Sequence, residues 1–107
     1  MITESERAEV ASCETGELEL AAVLHALSDP IRLRIVTELS DGVERSCGAF
    51  NLPITKSTCS HHFRVLREAG VISTRVEGKS RINVLRRDPL DERFPGLLDA
   101  VLQARSD

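Results

Sequence analysis

The chain contains no tryptophan and no tyrosine, and its three phenylalanines leave aromatics at 3% of 107 residues. A stacking platform for single-stranded nucleic acid needs successive exposed aromatic faces, so this composition argues against one. No apolar run approaches the roughly twenty residues of a membrane helix, and the Glu-rich first residues do not read as a signal peptide. A soluble, cytoplasmic protein that does not engage membranes is expected. The cysteines, Cys13, Cys47 and Cys59, are odd in number and lack a short pairing motif, so free thiols are expected rather than a disulfide framework. No Ser-His-Asp set, Gly-rich phosphate loop or paired-carboxylate motif stands out. His61 and His62 are adjacent, which on a helix points them about 100° apart. Neither enzymatic activity nor a cofactor is expected.

What the chain does have is charge, unevenly spread. The net charge is −3, yet residues 31–87 hold eleven basic and five acidic side chains, a local +6. Residues 1–30 carry seven acidic groups and one basic group, and residues 88–107 carry five and two. A basic middle between acidic ends fits one face that meets phosphates and another that faces away. The length suits one domain. Residues 1–16, polar and without periodicity, are expected to be a flexible acidic arm ahead of a folded unit over 17–107.

Hydrophobic spacing predicts mainly helices with one small β-hairpin. Leu20, Val23, Leu24 and Leu27 recur at helical intervals from Glu17. Asp29 and Pro30 then suit the N-cap and first position of a second helix, whose inward stripe is Ile31, Ile35, Val36 and Leu39 and whose end is Asp41-Gly42. A short third helix is expected over Val43 to Phe50. Thr55 reads as the N-cap of a fourth helix closed by Ala69-Gly70, with Cys59, Phe63 and Leu66 inward. Beyond Gly70 the period becomes two. Ile72, Thr74 and Val76 alternate with Ser73 and Arg75, and Ile82 and Val84 with Arg81 and Asn83, around a Glu77-Gly78-Lys79 turn. A last helix is expected from near Pro95, with Leu97, Leu98, Val101 and Leu102 on one side.

Two short helices joined by a tight turn and followed by a hairpin suit double-stranded DNA. A helix fits the major groove, where each base pair shows a distinct pattern of donors and acceptors. The small and polar residues Lys56, Ser57, Thr58, Ser60 and His61 let the start of the fourth helix approach closely, and its positive dipole end favours phosphate.

The stretches LSDPIRLRIVTEL at 27–39, LPITKSTCSHHFRVLREAGVI at 52–72 and RVEGKSRINVL at 75–85 resemble the ArsR/SmtB winged helix-turn-helix repressors. With the flanking helices the resemblance covers about residues 18–104. It implies a homodimer joined through the first and last helices, with Leu20, Leu24, Leu98 and Leu102 between protomers. It also implies an inverted-repeat operator read by two recognition helices. Matching positions imply Lys56, Ser57, Thr58, Ser60, His61 and Arg64 as groove or phosphate contacts, with Lys79 and Arg81 on the wing. Arg67 is placed evenly between solvent and DNA, His62 is expected to be a packed, hydrogen-bonded histidine, and His25 is expected to be structural.

Metal sensing, which many such repressors perform, finds no complete ligand set of a known type. The segment VERSCGAF holds Cys47 alone, no histidine follows His62, and the second and last helices lack cysteine. No metal site is therefore expected, and no small effector is identified. The alternatives are a thiol site for a metal or oxidant using Cys47 with Cys13, thiolates being suitable soft ligands, and a winged-helix module that binds another protein. Cys59 is expected to be a small core residue packing against Ala49.

Overall fold

The computed structural model describes residues 18–106. The predicted arm over 1–16 and its Cys13 lie outside the described residues. Helix α1 spans Leu20–Ala26 and α2 spans Pro30–Leu39, followed by strand β1 (Arg45–Ser46), a 3-10 turn (Cys47–Ala49) and α3 (Lys56–Glu68). Strands β2 (Ile72–Glu77) and β3 (Ser80–Leu85) precede α4 (Arg87–Arg93) and α5 (Leu97–Ser106).

Local chemistry sets the helix ends. Asp29 Oδ2 accepts from the amides of Ile31 (2.8 Å) and Arg32 (3.1 Å), with Pro30 at the first helical position. Thr55 Oγ1 accepts from the Thr58 amide at 3.3 Å. At the far end of α3 the Val71 amide reaches Leu66 O and the Gly70 amide reaches Arg67 O, both at 3.0 Å. That pair of bonds is a Schellman cap, and it holds Gly70 at φ 84°, where a side chain would be strained.

The core gathers Val23 and Ala26 of α1, Ile35, Val36 and Leu39 of α2, Phe63 and Leu66 of α3, Val71, Ile72 and Leu85 around the hairpin, and Leu90 and Leu98 behind it. Phe50 packs edge-on against Phe63, with ring centroids 5.3 Å apart.

Two features depart from expectation and one adds to it. The segment Val43 to Phe50 is not a helix. Arg45 and Ser46 pair with Asn83 and Ile82, which makes a three-stranded antiparallel sheet in the order β1-β3-β2, and only a single 3-10 turn follows. Gly48 within that turn disfavours a longer helix by about 1 kcal/mol relative to alanine. Secondly, the stretch after β3 forms α4, which tolerates Pro89 because that residue lies in the first turn, where its amide hydrogen has no helical partner. Thirdly, the hairpin closes through Gly78-Lys79, with Glu77 opposite Ser80 and Gly78 at φ 60°. In this register Asn83 stands opposite Thr74 and Leu85 opposite Ile72, so the buried row of β3 is Asn83 and Leu85, while Ile82 and Val84 are half-buried on the other face.

Candidate nucleic-acid interface

The exposed side of α3 carries Lys56, Ser57, Thr58, Ser60, His61 and Arg64, while His62, Phe63 and Leu66 are buried beneath it. Ser57 and Thr58 flank the cap: Thr55 Oγ1 donates to Thr58 Oγ1 at 3.0 Å and lies 3.4 Å from Ser57 Oγ. Lys79 and Arg81 stand exposed at the hairpin tip.

Between α3 and the hairpin lies a cleft of about 650 Å³ floored by Ser46, Cys47, Gly48 and Phe63. Lys56, Ser60, Arg64 and Arg67 line it from the helix, and Lys79, Ser80 and Arg81 from the hairpin. Five of the eight predicted DNA-contacting residues therefore share this cleft, while Ser57, Thr58 and His61 sit on the exposed helix outside it. Ser46 and Ser80 were not singled out as contacts from sequence, whereas Arg67, placed evenly between solvent and DNA there, lines the cleft.

The cleft is cationic by construction. Among the described residues its lining has five basic side chains and no carboxylate. Elsewhere the arginines are occupied: Arg34 with Glu38, Arg45 with Asp41, and Arg87 with Asp99. Arg75 makes a two-pronged contact with Glu44 at 3.0 and 2.7 Å and a third with Glu77 at 2.8 Å. Hydrogen bonding to Arg75 holds the Glu44 carboxyl below its ordinary range. These pairs brace the wing, whereas no acidic group among the described residues pairs with Lys56, Arg64, Lys79 or Arg81.

A buried polar network positions α3 from below. Arg32, 7% exposed, donates from Nε to Ala26 O (2.7 Å) and from Nη2 to His25 O (3.2 Å), which caps the C-terminal carbonyls of α1. Its Nη1 lies 3.0 Å from His62 Nδ1. A guanidinium cannot accept, so His62 Nδ1 does, and the ring is the neutral tautomer with its proton on Nε2. Burial pushes the His62 value down; the Asp29 carboxylate 3.8 Å away opposes this, and Arg32 and His61 add to it. His62 is thus the packed, hydrogen-bonded histidine expected.

Of the residues expected between protomers, Leu20 and Leu24 are 47% and 45% exposed, four positions apart on α1. Leu102 is half-buried against the core. Leu98 is corrected: at 2% exposure it belongs to the protomer's own interior. Cys47 and Cys59 are both half-buried and line a second cleft, so Cys59 is not a fully enclosed core residue. No group of three or more His, Cys, Asp or Glu side chains that would hold a metal occurs among the described residues, and the two thiols lack a third ligand there. No described helix is long and apolar enough to cross a membrane.

Residues 29–74, from the α2 cap into β2, match the family described as bacterial regulatory protein, arsR family. The HTH-type transcriptional regulator YceK of Bacillus subtilis (strain 168) is 39% identical over 84 residues, which is 76% of this chain and 84% of that relative. The chain belongs to the ArsR family. It is a transcriptional regulator and not an enzyme. Another likeness is to the HTH-type transcriptional regulator CmtR of Mycobacterium tuberculosis (strain ATCC 25618 / H37Rv), 34% identical over 100 residues, covering 90% of this chain and 82% of that one. The crystal structure of the transcriptional repressor BigR from Xylella fastidiosa superposes with a TM-score of 0.63 at 28% identity over 96% of both chains. The winged helix-turn-helix fold expected from sequence is thereby shown, with the 3-10 turn standing where a first helix of the motif was expected.

Proposed function

We propose that this ArsR-family protein is a repressor that binds an inverted-repeat operator in double-stranded DNA as a homodimer. Each protomer lays the first turns of α3 in a major groove and sets the hairpin on the flanking backbone. The observation that carries this reading is the cleft in which Lys56, Arg64, Lys79 and Arg81 stand with no carboxylate partner among the described residues. A phosphate backbone supplies the anions such a cleft lacks, and releasing their counterions drives binding. Ser60, which lines the cleft, and His61, exposed beside it on α3, are the side chains for base edges. The exposed Leu20 and Leu24 on α1, with Leu102 on α5, supply the surface for a second copy.

The test is fluorescence anisotropy on duplex DNA across a salt series, followed by footprinting on the DNA upstream of the protein's own gene. Affinity should fall steeply and linearly on logarithmic axes as salt rises. Binding that ignores salt would instead favour a protein partner for the winged helix.

A further inference from the structure

We propose that Cys47 and Cys59 are a redox pair, closed to an intramolecular disulfide by peroxides, and that closing it weakens DNA binding. Both thiols line one surface cleft of about 280 Å³ at the junction of the 3-10 turn and α3, walled by Phe50, Leu52 and Phe63. Both are half-buried, so a small oxidant reaches them.

The two sulfurs have different surroundings. Asn83, fully buried, donates one Nδ2 hydrogen to Arg45 O and the other to Cys47 Sγ, each at 3.3 Å, while its Oδ1 accepts from Thr74 at 2.8 Å. That last hydrogen bond fixes the Cys47 sulfur where it lines the cleft, and Cys47 is the attacking group. Burial first, and the neighbouring Cys47 second, push the Cys59 thiol up. Cys59 therefore waits as the protonated, resolving thiol.

The chemistry balances with a peroxide as oxidant. The Cys47 thiolate attacks one peroxide oxygen, the O–O bond breaks, and the departing oxygen takes a proton and leaves as water or an alcohol. Cys47 is then a sulfenic acid. The Cys59 sulfur attacks it, the S–S bond forms, and the hydroxyl leaves as water with the Cys59 proton. Two thiols are oxidised and one peroxide is reduced by two electrons.

The closure has a mechanical consequence. A disulfide brings its Cα atoms to about 4.4–6.8 Å. The side that yields is the 3-10 turn, closed by the Phe50 amide on Cys47 O at a long 3.4 Å. Cys47 also floors the cationic cleft, and Cys59 sits on α3 between Lys56 and Ser60, which line it. Drawing the turn onto α3 therefore alters the spacing between recognition helix and wing. This last step rests on the DNA-binding reading; the disulfide itself does not.

The experiment treats the full chain with hydrogen peroxide and maps tryptic peptides without reduction. Cleavage after Arg45, Lys56 and Arg64 places Cys47 and Cys59 on separate peptides. The expected product joins peptides 46–56 and 57–64 within one chain, survives in Cys13→Ser, and is absent from Cys47→Ser and Cys59→Ser. A lasting sulfenic acid at Cys47, or a dominant disulfide to Cys13 or to another chain, overturns the proposal. In parallel, oxidised Cys13→Ser should bind a random-sequence duplex at least about tenfold more weakly than the reduced form, with recovery on adding dithiothreitol. Equal affinity with the disulfide mapped overturns the regulatory half. Failure of the reduced protein to bind any duplex overturns the DNA-binding reading and leaves the mapped disulfide standing.

Discussion

Arg32 carries a full charge at 7% exposure in a small interior, a placement tolerated only when its donors are matched. They are matched by two helix-end carbonyls and an imidazole nitrogen, so one side chain ties the end of α1 to the middle of α3. Arg32→Met should therefore cost about 2–4 kcal/mol in urea unfolding, because it strands buried acceptors as well as removing bonds. A loss under about 0.5 kcal/mol would mean that water already serves those carbonyls. His62 adds a pH dependence of known sign. Its native value lies below the ordinary one near 6.5, so as pH falls the unfolded chain takes up the proton first. The stability contributed by neutral His62 is complete above about 6.5 and is lost as pH drops from there through the lowered native value. Asp29 acts in a separate, more acidic window. Burial alone would raise its carboxyl, but the amides of Arg32 and Ile31 with His62 and Arg32 together hold it low, so its contribution is lost only below about 4. Unfolding free energy measured from pH 7.5 to 5 should thus decline in the native protein and flatten in His62→Asn, which keeps an acceptor without a titrating ring. An unchanged slope would show that His62 is not the group responsible.

Helices α2 and α3 were legible because their ends are written locally. Asp29-Pro30, Thr55 and Ala69-Gly70 each satisfy backbone groups within a few residues, and the 3.6 spacing of Phe63 and Leu66 fixes the buried face. The strand β1 was not legible, since Arg45 and Ser46 acquire extended geometry only by pairing with Ile82 and Asn83, far along the chain. For the same reason no local signal marked Asn83 as interior, although the two-residue turn puts it opposite Thr74 and it is buried. The interface divides likewise. The cations of α3 and of the wing stood out as charges, whereas Ser46 and Ser80 join them only once the hairpin folds beside the turn. This division of labour predicts different mutant behaviour from each element. Lys79→Ala and Arg81→Ala on the wing should weaken operator and random duplex about equally, and should reduce the salt slope by about 0.9 for each phosphate no longer neutralised. Ser60→Ala and His61→Ala on the helix should reduce operator affinity more than random binding. Anisotropy titrations on both duplexes check this; an intact operator preference in His61→Ala would remove His61 from the readout face.

At the scale of the whole molecule, the apolar residues sort into those that hold one protomer together and those left facing out. Leu98 is enclosed by its own chain, while Leu20 and Leu24 stand nearly half exposed one helical turn apart. Two leucines on one stripe of a short helix are more apolar surface than a small acidic chain gains from showing to water, and each contributes about 25 cal/mol per Å² once covered. A second copy of α1 and α5 is the cover proposed, and it would also supply the two-fold axis that an inverted repeat requires. The two kinds of leucine then separate folding from assembly. Leu24→Glu should leave the far-ultraviolet circular dichroism unchanged while shifting sedimentation at micromolar concentration to the mass of a single chain. Operator affinity should fall with it, because the half-sites would be engaged independently. Leu98→Ala should do the reverse, removing about 2–5 kcal/mol of unfolding free energy from the protomer while the folded fraction still sediments as a dimer. If the native protein sediments as a monomer, or if Leu24→Glu stays dimeric, then α1 is not the surface on which two copies meet, and the spacing of the two recognition helices must be set elsewhere.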